Sequence, residues 1–318
     1  MNEDYLNFYK AKLQEPLTEL DELRKKIIKN RIALTVISAI CILIHSLLIV
    51  FEIIAYPLTI FITLFGLPLL SMLVYKKFFD KIDFIEDALK ELLTKEILTK
   101  HINPSMSKED MFIPYIDFLD SQLYSLQPEH YAGNYYMKGG KLMTMASCID
   151  AGFENAEGGW ETIFNGYFII CEEKFTIPST TIIIADDIQQ NLGLLGRKLK
   201  ETSFNKYEFV NIPHKEFAKN FAVYTTNVAE TYKLVDDIFI NKLLMAQEEY
   251  GATIGITVSP KRIYASISFP DGQFEFNHWK TLLNPSMYTP LYMVTQLIVD
   301  LVRDTGMSFI KKEPRAIT

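Results

Sequence analysis

Two long apolar runs dominate the polarity pattern of the first quarter of the chain. The first covers residues 33–54 and the second residues 58–75, with a short Ala-Tyr-Pro turn between them. Each run is close to the roughly 20 apolar residues that a helix needs to cross a bilayer. A surface helix of a soluble protein keeps a polar face, whereas these runs are apolar on all sides. The pattern predicts a transmembrane helical hairpin over residues 32–75.

Two ionisable side chains interrupt the first run. His45 and Glu52 lie seven residues apart and therefore share one face of a helix. An ionisable residue inside a membrane helix is a functional candidate, for example on a proton or ion path. The alternative is structural, because Glu52 lies near the outer turn, where water reaches it, and a neutral His45 can bond to its own helix. A single hairpin has too few helices to enclose a pore, which favours a structural role for His45 and Glu52.

The charge on either side of the hairpin indicates its orientation. Lysine and arginine are enriched on the cytoplasmic flanks of membrane helices. The turn has neither, whereas both outer flanks are basic: Arg24, Lys25, Lys26, Lys29 and Arg31 before the hairpin, and Lys76, Lys77 and Lys81 after it. Both termini are therefore expected in the cytoplasm. The first run begins too far along the chain for a cleavable signal peptide, so the anchor is expected to be retained.

An amphipathic helical arm is predicted on each side of the hairpin. Over residues 1–31, a seam of apolar residues recurs every seven positions, and Pro16 is expected to kink or restart the helix. The seam consists of Leu6, Leu13, Leu20 and Ile27. Residues 76–102 form a similar juxtamembrane helix. Because both arms leave the membrane on the same side, they either pair as an antiparallel stalk or pack separately on the soluble domain.

Beyond the arms, the pattern becomes strand-like. Residues 103–145 mix proline, glycine and aromatic residues and are interpreted as a connecting segment with one short helix over 111–126. Residues 146–318 are predicted to form a cytosolic domain with strands over 161–171, 180–185, 207–212, 221–225, 252–258 and 262–269. Capping signals predict two main helices, over 228–250 and 290–305. Because strands follow strands, the expected fold class is α+β with a largely antiparallel sheet.

The composition narrows the set of partners. The net charge is −7 with 22% charged residues, and basic residues cluster only beside the hairpin, which argues against nucleic acid. Cys41, Cys148 and Cys171 form no C-x-x-C pair, and the histidines are too widely spaced for an H-x-x-H site. No disulfide framework, metal or cofactor is expected.

Several polar groups resemble fragments of catalytic motifs. Glu129-His130 and Asp186 are weak candidates for acid–base chemistry, although neighbours in sequence need not share a hydrogen bond. The acidic pairs Asp186-Asp187 and Asp236-Asp237 favour turn or helix-cap roles. Residues 193–198 (GLLGRK) lack the spacing of a phosphate-binding loop. No catalytic motif is complete.

Several segments resemble one bacterial membrane-protein family, catalogued as domain of unknown function 3137 and labelled galanin-like in some genomes. They are SQLY at residues 121–124, YAGNYYMKG at 131–139, FNGYF at 164–168 and EFAKNFAVY at 216–224. The N-terminal arm followed by two membrane helices is also similar to the family's opening. The chain departs near Asn227, where the family typically has an acidic residue, and near Val235-Asp236, where it has Thr-Pro. The resemblance implies a cytosolic domain anchored in the bacterial inner membrane and implies no activity.

The residues of these motifs have a structural and a functional interpretation. Gly166, between aromatic residues, suits a strand that another backbone or ring approaches closely. Tyr131, Tyr135 and Tyr224 either pack in and beside the core or line a binding groove. The structural interpretation is favoured for both.

Three functions from different classes fit the sequence. The first is a membrane-anchored cytoplasmic scaffold that binds a protein partner, or itself, through its helical arms. The second is a membrane-bound enzyme that acts on a lipid-linked or small soluble substrate through Glu129, His130 and Asp186. The third is an oligomeric channel or transporter accessory built on His45 and Glu52. The lack of a complete catalytic motif favours the first.

Overall fold

A computed structural model of the protein describes residues 2–50, 66–124, 126–140, 143–155, 157–172, 179–185, 207–269 and 279–310. Four features discussed above lie outside these residues: the Ala-Tyr-Pro turn, Glu52, the pair Asp186-Asp187 and residues 193–198. The side chains of His45 and Cys41 also lie outside the description, although their backbone is helical.

The described residues form helices, strands and short irregular turns. The helices are α1 (Glu3–Phe8), α2 (Gln14–Val50), α3 (Leu67–Ile102), α4 (Tyr115–Asp120), α5 (Lys215–Asn220), α6 (Val228–Leu234), α7 (Asp237–Glu248) and α8 (Thr289–Ile310). The strands are β1 (Pro104–Lys108), β2 (His130–Gly139), β3 (Thr144–Glu154), β4 (Trp160–Glu172), β5 (Thr181–Ala185), β6 (Glu208–Val210), β7 (Phe221–Thr225), β8 (Thr253–Val258) and β9 (Arg262–Ser268). Helices and strands are segregated along much of the chain, as in an α+β fold.

The chain divides into two compact units. The first, here called the arm unit, comprises Met1–Leu93 and Glu275–Pro285. The second, the sheet unit, comprises Thr94–Phe274 and Ser286–Thr318. The arm unit therefore joins the N-terminal helices to a short segment from near the other end of the chain.

The N-terminal arm is helical, as its apolar spacing predicted. Helix α1 is followed by a π-helical turn over Tyr9–Leu13, after which α2 begins at Gln14. Pro16 lies two residues after the start of α2, directly beyond the π-helical turn. Within the seam, Leu13 and Ile27 are buried, and Leu6 and Leu20 are half-buried. The helix type changes just before Pro16 while the backbone stays helical, so the expected kink or restart of the helix stays a prediction.

The apolar half of α2 is not covered by the described residues. Its large apolar side chains between positions 32 and 47 are between 42% and 60% exposed. Counted from Glu3 to Ile44, this helix is long and apolar enough to cross a membrane, and 6% of its most apolar window is buried. It is one candidate span among the described residues, judged by length and composition.

The sheet unit is built on one antiparallel sheet. Nine strands of the described residues follow the order β1-β2-β3-β4-β9-β8-β5-β7-β6, and each neighbouring pair is antiparallel. Helix α8 contacts β9 and β4, α7 contacts β8, and α5 contacts β7. Alternate residues of a strand point to opposite faces, and both sets are buried in β9, where Tyr264 alternates with Ile263 and Ala265. The sheet is therefore covered on both faces.

A second layer of aromatic side chains covers part of the sheet. Phe118 of α4 is 1% exposed and packs with Phe168 of β4, with ring centroids 5.2 Å apart. Tyr264 of β9 and Ile182 of β5 belong to the same core cluster. This cluster, together with Tyr131 and Tyr224, is referred to below as the aromatic core.

The elements differ from the sequence-based expectations in several places: the helix expected over 111–126 covers only Tyr115–Asp120, and β3 and α5 were not expected. The predicted helix over residues 228–250 is divided into α6 and α7, because the Asp236 carboxylate accepts a hydrogen bond from the N–H of Phe239 at 2.9 Å and caps a new helix. The cap role expected for Asp236-Asp237 is thus confirmed. Residues 104–108 and 130–139, interpreted as part of a connecting segment, form strands β1 and β2 of the sheet.

Candidate functional site

A buried carboxylate stabilises the arm unit below the apolar half of α2. Asp21 is fully buried, and its Oδ1 accepts hydrogen bonds from Arg24 Nε at 2.8 Å and from the N–H of Leu282 at 3.0 Å. The Lys25 ammonium lies 2.9 Å from the second carboxylate oxygen. Two hydroxyls of the arm bond to the same distant segment: Tyr9 donates to Leu283 O at 3.1 Å, and Tyr5 donates to the carbonyl of Pro285. Residues 282–285 are therefore bound to the N-terminal helices by these three hydrogen bonds.

The pKa of Asp21 reflects these contacts. Burial raises the pKa of a carboxyl group because it destabilises the charged form. Here the hydrogen bonds from Lys25, the Leu282 N–H and Arg24 outweigh burial and lower the pKa from 3.8 to about 2. The side chain is therefore ionised at neutral pH, and it neutralises part of the positive charge around it.

An open groove lies beside this ion cluster. It has a volume of about 370 Å³ and is lined by Arg24, Lys25, Ile28, Lys29, Ile32 and Trp279. We call it the juxtamembrane groove, because Ile32 is the first residue of the exposed apolar half of α2. Trp279 is 58% exposed, and the Arg31 guanidinium carbon lies 5.7 Å from the centre of its ring. Cations, an indole ring and aliphatic side chains thus share one surface of the arm unit.

Only part of this groove could be predicted from the sequence. Its cations were identified as the basic flank of the hairpin, and they indicated orientation. Trp279 lies more than 200 residues away, and no local motif connects it to the arm. The groove was therefore missed.

The three tyrosines proposed for a binding groove occupy different environments. Tyr131 donates a hydrogen bond to Ile113 O at 2.8 Å, and burial raises its pKa. Tyr224 is 7% exposed and stacks at an angle against Phe209, with ring centroids 5.7 Å apart. Both pack in the aromatic core. Tyr135 lies at a bulge of β2 with φ of 58°, and its N–H donates to Glu109 O at 2.9 Å. Tyr131 and Tyr224 thus share a core that does not contain Tyr135.

The acid–base candidates of the sequence make separate contacts. The Glu129 carboxylate accepts a hydrogen bond from the N–H of Glu154 at 3.3 Å. The His130 ring lies edge-on to Trp160, with ring centroids 5.4 Å apart. Neither side chain lines the juxtamembrane groove. Among the described residues, no group of three or more His, Cys, Asp and Glu side chains is placed to hold a metal ion.

A second cleft, of about 240 Å³, lies between α6, α7 and α8 in the sheet unit. Its charged side chains bond to each other or to the backbone: Lys233 to Glu230 at 2.8 Å, Lys242 to Asp304 at 3.0 Å, and Asp236 to the N–H of Phe239. The Lys242–Asp304 ion pair joins α7 to α8, whereas the other two contacts lie within α6 and at the start of α7. The cleft also includes Asp236, where the chain departs from the family pattern.

Arg262 on β9 forms ion pairs with both strand β4 and helix α4, which contribute to the aromatic core. Its Nε lies 2.9 Å from a Glu172 carboxylate oxygen, and its Nη1 bonds to Asp117 of α4.

Replacing Arg262 by glutamine is expected to lower the free energy of unfolding by about 1 to 2 kcal/mol, since charged hydrogen bonds at a half-buried site are lost. Urea unfolding, followed through Trp160 emission in a Trp279→Phe background, measures the loss. Lys261→Gln removes the same charge at the exposed neighbouring position, and an equal loss there would contradict the assignment.

The structure thus defines an α+β sheet domain in a chain that also carries one long apolar helix near its N-terminus. Residues 162–305 match the family model described as Protein of unknown function (DUF3137). The resemblance drawn from the sequence motifs is therefore confirmed over that part of the chain.

Comparisons with other known proteins add little. No curated protein sequence matches the chain significantly. Among solved structures, the crystal structure of the mycobacterial trehalose monomycolate transport factor A, TtfA, is similar at 11% identity and a TM-score of 0.30. The match covers 54% of this chain and 73% of that chain. A likeness of this size carries no information about function.

Proposed function

We propose that the protein is a membrane-anchored cytoplasmic scaffold that binds a protein partner, or a second copy of itself, through its helical arms. In this proposal, residues 32–75 form a transmembrane hairpin in the bacterial cytoplasmic membrane. Both termini and the sheet unit lie in the cytoplasm, because the basic residues flank the hairpin on its outer sides.

One observation carries the proposal: α2 is a single helix with two different halves. Its first half has a buried face in the arm unit, with Leu13 and Leu17 fully buried. In its second half, the described large apolar side chains between positions 32 and 47 are exposed, which is unfavourable in water and favourable in lipid. The helix therefore has the character of an anchor that continues into a folded cytoplasmic arm.

The exposed surface of the arms provides the proposed partner contact. The seam residues Leu13 and Ile27 are buried within the protein, so they are not free to meet a partner. Phe84 of α3 is 61% exposed, next to the buried Ile85. An exposed aromatic side chain at a juxtamembrane position is a suitable anchor for a protein contact.

Site-specific photocrosslinking in intact membranes tests the proposal. A photoreactive phenylalanine analogue replaces Phe84 in one variant and the similarly exposed Phe209 of the sheet unit in a control. We expect the protein to remain in the membrane pellet after alkaline extraction. We also expect a discrete adduct from the Phe84 position, which mass spectrometry identifies as a partner or a second copy. An extractable protein contradicts the anchor, and an adduct from the Phe209 position alone, or from neither, contradicts binding through the arms.

A further inference from the structure

We infer that the juxtamembrane groove binds the phosphate headgroup of an anionic membrane lipid. The inference rests on the proposed membrane anchor and adds a ligand class to it. Three independent properties of the groove support it: an excess of positive charge, an exposed indole ring, and its position at the start of the apolar helix.

The charge of the groove favours an anion. Of the six residues that line it, Arg24, Lys25 and Lys29 are cationic and none is acidic. The Asp21 carboxylate bonds to Arg24 and Lys25 and offsets one of these charges. The side chain of Lys25 nevertheless remains 62% exposed, and Lys29 is also exposed. A lysine ammonium is a compact charge with several donors, which suits a phosphate oxygen.

The indole ring and its neighbours locate the groove at headgroup depth. Tryptophan is enriched at the interface between membrane and water, because its ring is apolar and its N–H is polar. Trp279 is held there against the Arg31 guanidinium. On the other border, Ile32 begins the exposed apolar stretch that runs to Leu47. A membrane around that stretch places phosphate groups level with the groove.

The mixed lining favours a lipid over free phosphate. Ile28 and Ile32 offer apolar surface for the first carbons of an acyl chain, which inorganic phosphate lacks. The volume of about 370 Å³ lies within the range of small-molecule sites. A zwitterionic headgroup brings its own cation and therefore gains less from the groove's excess charge.

Fluorescence quenching in nanodiscs tests the inference with the full-length protein. The chain has two tryptophans, so Trp160→Phe leaves Trp279 as the reporter. The discs contain phosphatidylcholine with a varied fraction of lipid brominated near the headgroup, either phosphatidylglycerol or phosphatidylcholine. We expect brominated phosphatidylglycerol to quench Trp279 at a lower fraction. Lys29→Gln is expected to raise the half-quenching fraction about fivefold, the effect of one basic residue near an anionic surface.

The control is Lys26→Gln, which removes the same charge from an exposed position outside the groove. We expect it to change the half-quenching fraction less than Lys29→Gln does. Equal effects of the two substitutions overturn the inference, because they indicate general attraction to the surface. Equal quenching by both brominated lipids also overturns it. Inorganic phosphate that displaces the lipid and restores emission would reassign the groove to a soluble ligand.

The two proposals fail in different ways. Protein that does not co-elute with the discs contradicts the membrane anchor. Protein that co-elutes, but whose Trp279 responds equally to both headgroups, contradicts the lipid site alone.

Discussion

Replacing Asp21 by asparagine is expected to lower the free energy of unfolding by about 3 kcal/mol. The substitution keeps the size of the side chain and removes its charge, so Arg24, which is 5% exposed, loses its charged hydrogen bond to the Asp21 carboxylate. Removing one member of a buried ion pair typically has an effect of about 3 to 5 kcal/mol. Urea unfolding in mild detergent, followed through Trp279 emission in the Trp160→Phe background, reports on the arm unit.

A double substitution separates the ion pair from simple loss of packing. Asp21→Asn with Arg24→Met removes both charges, and replacing a whole buried pair by groups of similar volume is often close to neutral. We therefore expect the double variant to recover most of the lost stability. A double variant that is less stable than Asp21→Asn would show that the pair is not the cause.

The same carboxylate predicts how stability changes with pH. The folded-state pKa of about 2 lies below the ordinary value of 3.8, so the ionised form stabilises the folded state. This contribution, on the order of 2 kcal/mol, is complete above about pH 4 and is lost as the pH falls towards 2. Asp21→Asn is expected to lack this part of the acid dependence.

Replacing Gly166 by alanine is expected to lower the free energy of unfolding of the sheet unit by about 3 kcal/mol or more. The effect is large because Gly166 lies on β4, an interior strand of the sheet. An added Cβ would lie 2.1 Å from the carbonyl oxygen of Ile267 on β9, far inside contact distance. Because the obstacle is backbone, β4 and β9 must separate where Gly166 pairs with Ser268. Urea unfolding through Trp160 emission, in a Trp279→Phe background, measures the effect.

The neighbouring residue provides the control. Asn165 is exposed on the same strand, so Asn165→Ala tests the effect of alanine in β4 without the clash. We expect a change below about 1 kcal/mol for this variant. Similar losses for both variants would mean that strand propensity, and not the close approach of β9, determines the result.

The strands of the central sheet could be predicted because burial on both faces leaves a continuous apolar pattern. Thr181–Ala185 and Phe221–Thr225 are buried at every position, and both were found within one residue of their observed ends. Gly166 was also correctly interpreted, because a glycine between aromatic residues in a strand indicates a close approach.

Strand β2 was missed because its glycines resemble turn signals. Gly133 lies within the strand, and only a glycine fits there, because a Cβ would lie 2.4 Å from the carbonyl oxygen of Cys148 on β3. Tyr135 has a positive φ at the bulge, which also interrupts the alternation of the pattern. Both features depend on the neighbouring strand, and a local pattern does not contain that information.

The arm shows a similar limit. A seven-residue repeat indicates which face of a helix is buried, and Leu13 and Ile27 are indeed buried. It does not indicate what covers that face. The contact with residues 282–285 depends on a hydrogen bond from Tyr9 to Leu283 O and on one from the Leu282 N–H to Asp21, across about 260 to 275 residues of sequence. The candidate groove, which needs Trp279 from the same region, could not be predicted for the same reason.

The hydrogen bonds between residues 282–285 and the N-terminal helices also have a consequence for biosynthesis. Asp21 and Leu282 are 261 residues apart, so the arm emerges from the ribosome long before its partner segment. At about 5 to 20 residues per second, the interval is roughly 15 to 50 seconds. Throughout that time the Asp21 side chain lacks the hydrogen bond from the Leu282 N–H. Completion of the arm unit is therefore a late step of translation, and a chain truncated before residue 282 is expected to lack the hydrogen bonds that Tyr5, Tyr9 and Asp21 make with residues 282–285.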